Sequence, residues 1–330
     1  MHNQVLVYRG NEVESSHRFS YAISDQNGNL TPDSTNIENL IFPRSAIKLF
    51  QVLPFITTGA YQKTKSTPEQ IAIACGSHNA ELSHVTCVNT WLQNNSLSPK
   101  HLVCGAGLPR LSEDVKTIYE NHIELDPSYN NCSGKHTAML LTAKHMGWDT
   151  VTYHHHDHPL QKLLLDTIEK LCGHKLDTKR CGIDGCALPN YMMSLKDLAV
   201  SAAKFSKHAN TNASDLDKAC KLVLDSVAAH PHMIAGKDRL CTDLAKITNG
   251  RIIAKVGAEG VYIAIIKDKN IGLALKVEDG SFRAVEVALA HLLKSKSFLT
   301  EEEVKKLSHW LQIPILNTLQ NQVGKVSAII

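Results

Sequence analysis

Strand-forming sequence lies at both ends of this 330-residue chain and helix-forming sequence fills its middle, an order that limits the folds open to it. Residues 5–8 and 17–24 predict a hairpin pair of strands, with turn chemistry in Asp25-Gln26-Asn27-Gly28-Asn29. From about residue 45 to 246 the texture is helical, as in 112–119, 136–145 and 160–171. Asp157 is placed to cap the last of these, and Pro159 suits its first turn. After Gly250, residues 251–255, 261–267 and 271–278 are short runs rich in Ile and Val, separated by Gly or Asp-Lys-Asn turns, and predict strands. Residues 282–293 and 301–311 predict closing helices, the second capped by Thr300 with Glu303 three residues on. The expected fold is therefore α/β (α+β): one antiparallel sheet formed by N- and C-terminal strands, with the helical middle packed on its faces as a single domain over 1–330.

Composition excludes several function classes. Apolar residues make up 43% and charged residues 20%, an ordinary globular balance. The net charge is only +3, and no Lys/Arg run interleaves with aromatics, so a nucleic-acid partner is not expected. No apolar run reaches membrane-spanning length, and residues 1–9 lack the basic-then-apolar pattern of a signal peptide. The nine cysteines are odd in number and scattered, which suits a reducing compartment, the cytoplasm.

Chemistry is concentrated in a few short segments. In Pro43-Arg44-Ser45-Ala46-Ile47-Lys48, Ser45 and Lys48 stand three apart at the start of an apolar helix, so they share a face. A lysine stripped of water loses proton affinity, and its neutral amine can take the proton of a serine hydroxyl. A second copy, Ser201 and Lys204, reads as an ordinary amphipathic helix with a solvated lysine. Residues 71–75 predict a buried strand that breaks at Gly76-Ser77, where polar groups can line a pocket. In Lys255-Val256-Gly257-Ala258-Glu259-Gly260, the glycines weaken a strand but permit close approach to the backbone, and the lysine offers a cation or an amine. The order Ser-x-x-Lys followed by Lys-Val-Gly is that of serine β-lactamases and penicillin-binding proteins. Cys132 and Cys186 on tight loops can supply thiolates to Zn²⁺, although no paired Cys-x-x-Cys signature is present, and buried free thiols are the plainer reading. His154-His155-His156-Asp157-His158 reads as a solvated loop, since adjacent side chains diverge.

Taken together, Arg9-Gly10, Val13-Glu14-Ser15-Ser16-His17, Pro43-Arg44-Ser45-Ala46-Ile47-Lys48, Asn131-Cys132-Ser133-Gly134-Lys135-His136, Gly182-Ile183-Asp184-Gly185-Cys186, Ala235-Gly236-Lys237-Asp238-Arg239 and Lys255-Val256-Gly257-Ala258-Glu259-Gly260-Val261 resemble, in order, the bacterial asparaginase II family of the rhizobial, inducible type, the class 3 asparaginases. The resemblance runs from about residue 5 to 295. It implies a fold similar to the serine β-lactamase and glutaminase group, a homodimer, and hydrolysis of L-asparagine to L-aspartate and ammonia. It also implies two serine–lysine pairs, Ser45 with Lys48 and Ser77 with Lys255, and a zinc site of Cys132, Lys135 and Cys186 supported by Asp184. Arg44, His78, Cys241 and Gly257 are expected to line the substrate pocket. The chain departs from the family in having Leu49 where proline is common, and Asn79-Ala80 where glycine is frequent.

On this reading Ser45 attacks the amide carbon after Lys48 takes its proton. Ser77 with Lys255 relays protons or holds substrate, and backbone amides near Ser45 or Ser77 meet the oxyanion. Lys135 would need a depressed pKa to ligate zinc, which orients the pocket or the substrate. Two rivals stand beside it: a β-lactamase-like amidohydrolase acting on glutamine or cyclic amides, and a non-catalytic protein that binds zinc or a ligand.

Overall fold

The computed structural model describes residues 3–211 and 213–330. Met1 and His2, at the head of the stretch read for a signal peptide, lie outside them. Seven strands form one antiparallel sheet: β1 (Gln4–Arg9), β2 (Glu12–Ser24), β3 (Ile252–Gly257), β4 (Val261–Ile266), β5 (Ile271–Val277), β6 (Ile313–Leu316) and β7 (Gln322–Ile329). Their spatial order is β6-β7-β1-β2-β5-β4-β3. The termini meet as expected, and more closely: β1 pairs with β7, with Gln4 opposite Ile329. The sequence reading closes on helices and does not foresee β6 and β7. In β7 only Gly324 and Val326 are buried, so the apolar alternation that marks a half-buried strand is too thin to read.

The first hairpin turns at Gly10-Asn11, where Arg9 faces Glu12. Asp25–Asn29 is a turn as predicted, but it follows β2, its Asp25 carboxylate accepting from the amides of Asn27 and Asn29 at 2.8 and 2.9 Å. β2 pairs with β5, joining the N-terminal hairpin to the C-terminal meander. Helices cover both faces: Leu195–Thr211 packs on β2, β4 and β5, and Phe282–Ser295 on β1, β5 and β7. Every residue of β3 and β4 is consequently buried, which explains their unbroken apolar run.

Local sequence sets the helix starts. Thr300 and Glu303 form the predicted capping box ahead of Glu301–Lys306. The helix Pro159–Cys172 is capped not by Asp157 but by His158, whose Nδ1 accepts from the Leu160 amide at 3.1 Å. A second correction concerns 71–75: Pro68–Ala74 is a helix. Thr67 and Gln70 cap it reciprocally and Pro68 fills its first turn, a start signal that outweighs the β-branched content. Ser201 lies on Leu195–Thr211, buried, with its hydroxyl 3.4 Å from the Cys172 sulfur, while Lys204 donates to the Cys172 carbonyl. All nine cysteines are free thiols. Among the described residues no helix is long and apolar enough to cross a membrane.

Candidate active site

Four segments converge at one end of the β3–β4 hairpin. The first is the turn after Pro43. Arg44 adopts φ 51°, a left-handed conformation rare for a side chain of its size, and starts a 3₁₀ turn, Arg44–Ile47, that runs into the helix Lys48–Gln51. In a 3₁₀ turn residues three apart eclipse, so the Ser-x-x-Lys spacing sets both side chains on one face. Ala46, Ile47, Leu49 and Phe50 are all buried, and they carry Lys48 with them into the interior, where it is 0% exposed. Ser45 stays half-buried at the surface of a cleft.

The second and third segments are the loops after Pro68–Ala74 and before the helix Ser133–His145. Ser77 and Asn131 face the cleft from them. The fourth is the end of β3, with Lys255 fully buried in its middle and Val256, Gly257 and Ala258 on the cleft wall. A Cβ on Gly257 would come within 2.5 Å of the Pro43 carbonyl, so this glycine lets the turn carrying Ser45 lie directly on the strand. Gly260, at φ 68°, serves the β3–β4 turn rather than a ligand.

The two serine–lysine pairs differ. Lys255 Nζ lies 2.9 Å from Ser77 Oγ and donates to its neighbour's carbonyl, Val256 O, at 2.7 Å. Burial, and then repulsion from Lys48, bring the Lys255 amine down to about 7. The Lys48 amine instead donates to the carbonyls of Gly76 and, at 3.3 Å, Asn131. Burial pulls its pKa down as well, against the attraction of the Cys132 thiol. Among the described residues, Ser45 Oγ has no hydrogen-bond partner, so the contact foreseen between Ser45 and Lys48 is not formed. Catalytic hydrogen bonds of this kind commonly tighten only when substrate is bound.

The cleft, ≈ 240 Å³, joins a second cavity of ≈ 270 Å³, and Ser45, Leu108, Asn131 and Ala258 line both. Arg239 and Arg110 enter the first from the far side, both over the ring of Phe282, at 5.6 and 4.7 Å from its centroid. Arg239 is 4% exposed; its Nη1 donates to Asn79 Oδ1 at 3.0 Å, and its Nε, buried without a hydrogen-bond partner, pairs with the buried Glu286 carboxylate at 3.8 Å. The second cavity leads to Cys132 and Cys186.

The family model for L-asparaginase II matches residues 5–328. The chain belongs to the asparaginase II family. Membership supports an amidohydrolase. No curated protein sequence matches it. Among solved structures it is similar to Mglu in its native form, at 14% identity and a TM-score of 0.47 over 86% of this chain and 64% of that one. It is also similar to the D-alanine carboxypeptidase AmpC from Burkholderia cenocepacia, at 12% identity and a TM-score of 0.38 over 89% of this chain and 92% of that one. The chain thus spans 64% of the length of Mglu.

Of the residues singled out from the asparaginase II motifs, Ser45, Ser77, His78 and Gly257 line the first cavity and Arg44, Cys132, Asp184 and Cys186 the second. Cys241 lines neither. It is fully buried on the helix Leu240–Ile247, its sulfur 2.8 Å from the Tyr262 hydroxyl, behind Lys255. Arg44 is held by Asp184, with Nε and Nη2 2.8 and 2.7 Å from one carboxylate oxygen. His78 presents a ring face and no free donor: Nδ1 accepts from the Ala80 amide and Nε2 donates to Ser133 Oγ. The amides of Ser77, His78 and Asn79 all donate to backbone carbonyls, so the oxyanion donor expected near Ser77 is not free there. The sequence reading missed Arg110, Arg239 and Asn79 as cleft residues. Arg239 stood inside a family motif, but nothing local marks an arginine as one that will be buried.

Cys132, Lys135 and Cys186 come together. Lys135 Nζ donates to Cys186 Sγ at 3.1 Å, and Cys132 Sγ lies 3.1 Å from Asn131 Oδ1. A hydrogen bond from Cys186, together with the nearby amines of Lys48 and Lys135, holds the Cys132 thiol well below its ordinary value, while that bond and burial push Cys186 up. The site thus holds one thiolate and one thiol beside the Lys135 ammonium: the two sulfurs fit Zn²⁺, and Lys135 would join them as a ligand only on giving up its proton. The depressed Lys135 pKa foreseen is not found: burial lowers it, but the two sulfurs outweigh burial and raise it above the ordinary lysine value. The His154–His158 run forms no converging group of metal-type ligands among the described residues.

Proposed function

We propose that the protein hydrolyses the side-chain amide of L-asparagine to L-aspartate and ammonia. The observation that carries this reading is the convergence of two serine hydroxyls and two buried amines of lowered proton affinity on one cleft that also holds two arginines. The arginines suit the α-carboxylate of an amino-acid substrate, since a guanidinium meets a carboxylate through paired donors. Ser45, uncommitted and common to both cavities, attacks the side-chain amide carbon. Its proton passes to the neutral Lys48 amine. Ser77, oriented by Lys255, donates its own proton to the departing nitrogen and is reprotonated from Lys48. The C–N bond breaks, ammonia leaves, and water hydrolyses the aspartyl ester on Ser45. Lys255 must be neutral throughout, because a second positive charge beside Lys48 would stop it accepting a proton.

Cys132, Cys186 and Lys135 would hold Zn²⁺, which supplies a Lewis acid to orient or polarise substrate at the second cavity. The scattered free cysteines suit the reducing cytoplasm, and the family resemblance implies a homodimer.

The test is turnover by purified protein of asparagine and glutamine, read as ammonia release, and of a chromogenic β-lactam, read by absorbance as the ring opens, beside Ser45→Ala. Asparagine turnover that Ser45→Ala abolishes supports the reading. Faster turnover of either other substrate, or full activity in Ser45→Ala, overturns it.

A further inference from the structure

Behind the cleft lies a group of metal-type side chains that the proposed chemistry does not use. Glu81 stands just before the helix Leu82–Gln93, His84 on its first turn, and His232 on the 3₁₀ turn Pro231–Ile234. One carboxylate oxygen of Glu81 and one ring nitrogen from each histidine all lie within 4.8 Å of one another. Glu81 Oε2 and His232 Nε2 are 3.1 Å apart. That is close to the ~3.3 Å between two donors on a tetrahedral ion with bonds of about 2.0–2.1 Å.

The state of His84 is a second, independent observation. The residue is 0% exposed. Its Nε2–H donates to the His232 carbonyl at 3.1 Å, which leaves Nδ1 a bare lone pair, buried and without a partner. Such an orphan is costly and asks for an explanation. Burial brings the His84 ring down to about 4, so it is neutral at pH 7. A neutral imidazole whose other N–H is held by a backbone carbonyl is the form in which histidine binds metal ions. Burial raises the Glu81 carboxyl, but the Lys237 amide, His232 and Asn79 hold it below its ordinary value, so it is ionised.

We propose that Glu81, His84 and His232 form a second cation site, for a divalent transition metal of borderline softness such as Zn²⁺ or Co²⁺. Two imidazoles and one carboxylate leave a coordination position open for water. The His232 side chain is 33% exposed, so an ion reaches the site from solvent. The site abuts the cleft: the His84 ring stacks on His78 at 5.0 Å, and Glu81 Oε1 accepts from Asn79 at 3.1 Å. It shares no ligand with the thiol pair.

Cobalt titration distinguishes the two sites, because thiolate ligation adds sulfur charge-transfer absorption and imidazole–carboxylate ligation does not. Metal-free Cys132→Ser/Cys186→Ser protein is titrated with Co²⁺ by calorimetry and visible absorption, with and without His232→Ala. One equivalent with d–d bands and no sulfur band is expected, weakened at least tenfold by His232→Ala and likewise by Glu81→Gln. No bound cobalt, or binding untouched by His232→Ala, overturns the proposal. If the double cysteine variant does not fold, the wild type is titrated: a second equivalent free of sulfur absorption must appear and must be lost in His232→Ala, and its absence overturns the site.

Discussion

The Lys255 amine lies 2.9 Å from the Ser77 hydroxyl, whereas the Lys48 amine, one turn from Ser45, is turned to the carbonyls of Gly76 and Asn131. The cleft thus holds one serine already oriented and another left free, a division of labour between proton relay and nucleophile that variants at the two serines separate.

Ser45→Ala removes the proposed nucleophile and Ser77→Ala only the relay. Asparagine-dependent ammonia release should fall roughly 10³-fold or more in the first. The second should lose about 10²–10⁴-fold, the range of one positioned proton donor. Mass spectrometry of quenched enzyme should find the aspartyl adduct on the peptide containing Ser45 in both wild type and Ser77→Ala. An adduct on Ser77 would reverse the roles.

Lys255 sets the pH response. Because its neutral form is needed and its folded pKa is about 7, kcat/KM should rise as pH increases through about 7. Stability carries the same sign. The folded value lies below the ordinary 10.5, so between about pH 7 and 10.5 the unfolded chain binds more protons than the folded one and stability climbs with pH. Lys255→Met should lower turnover no further than Ser77→Ala does, flatten that climb and raise stability at pH 7 by ~4 kcal/mol, read from urea titrations at several pH values.

Arg110 rims the cleft and is exposed, so Arg110→Ala should fold normally. Loss of one charged hydrogen-bonding partner for the substrate carboxylate should raise KM for asparagine about 10–100-fold with little change in kcat. An unchanged KM would remove Arg110 from substrate binding.

Removal of metal from the Cys132–Lys135–Cys186 site should weaken asparagine turnover without abolishing it, since no proton or bond in the proposed steps passes through the ion. Cys132→Ser or Cys186→Ser should lower zinc content, measured by elemental analysis, and leave residual activity. Complete loss on chelation with full recovery on adding zinc would instead indicate a metal-activated water.

Gly257→Ala tests the contact that seats Ser45. Its Cβ would press to 2.5 Å from the Pro43 carbonyl and 3.1 Å from the Ala46 amide, backbone atoms that cannot swing aside. A loss of about 1–3 kcal/mol in denaturant unfolding is expected, with reduced activity. Unchanged stability would mean that the turn can shift.

By itself the sequence determined the strand–helix–strand order, the capping box at Thr300, the family, and the short segments that carry Ser45, Lys48, Ser77, Lys255 and the thiols. Those features are local: spacing, turn chemistry and residue type fix them within a few positions. Tertiary structure alone decided which lysine touches which serine, that Cys241 sits behind the cleft and Arg239 in its wall, that Lys135 is held protonated by its sulfurs, and that residues 313–329 add two strands. Each of those depends on burial and on charges brought close from distant segments. Desolvation and Coulomb interactions act through space, so neither the pKa of a lysine nor the exposure of an arginine is written in its neighbours along the chain.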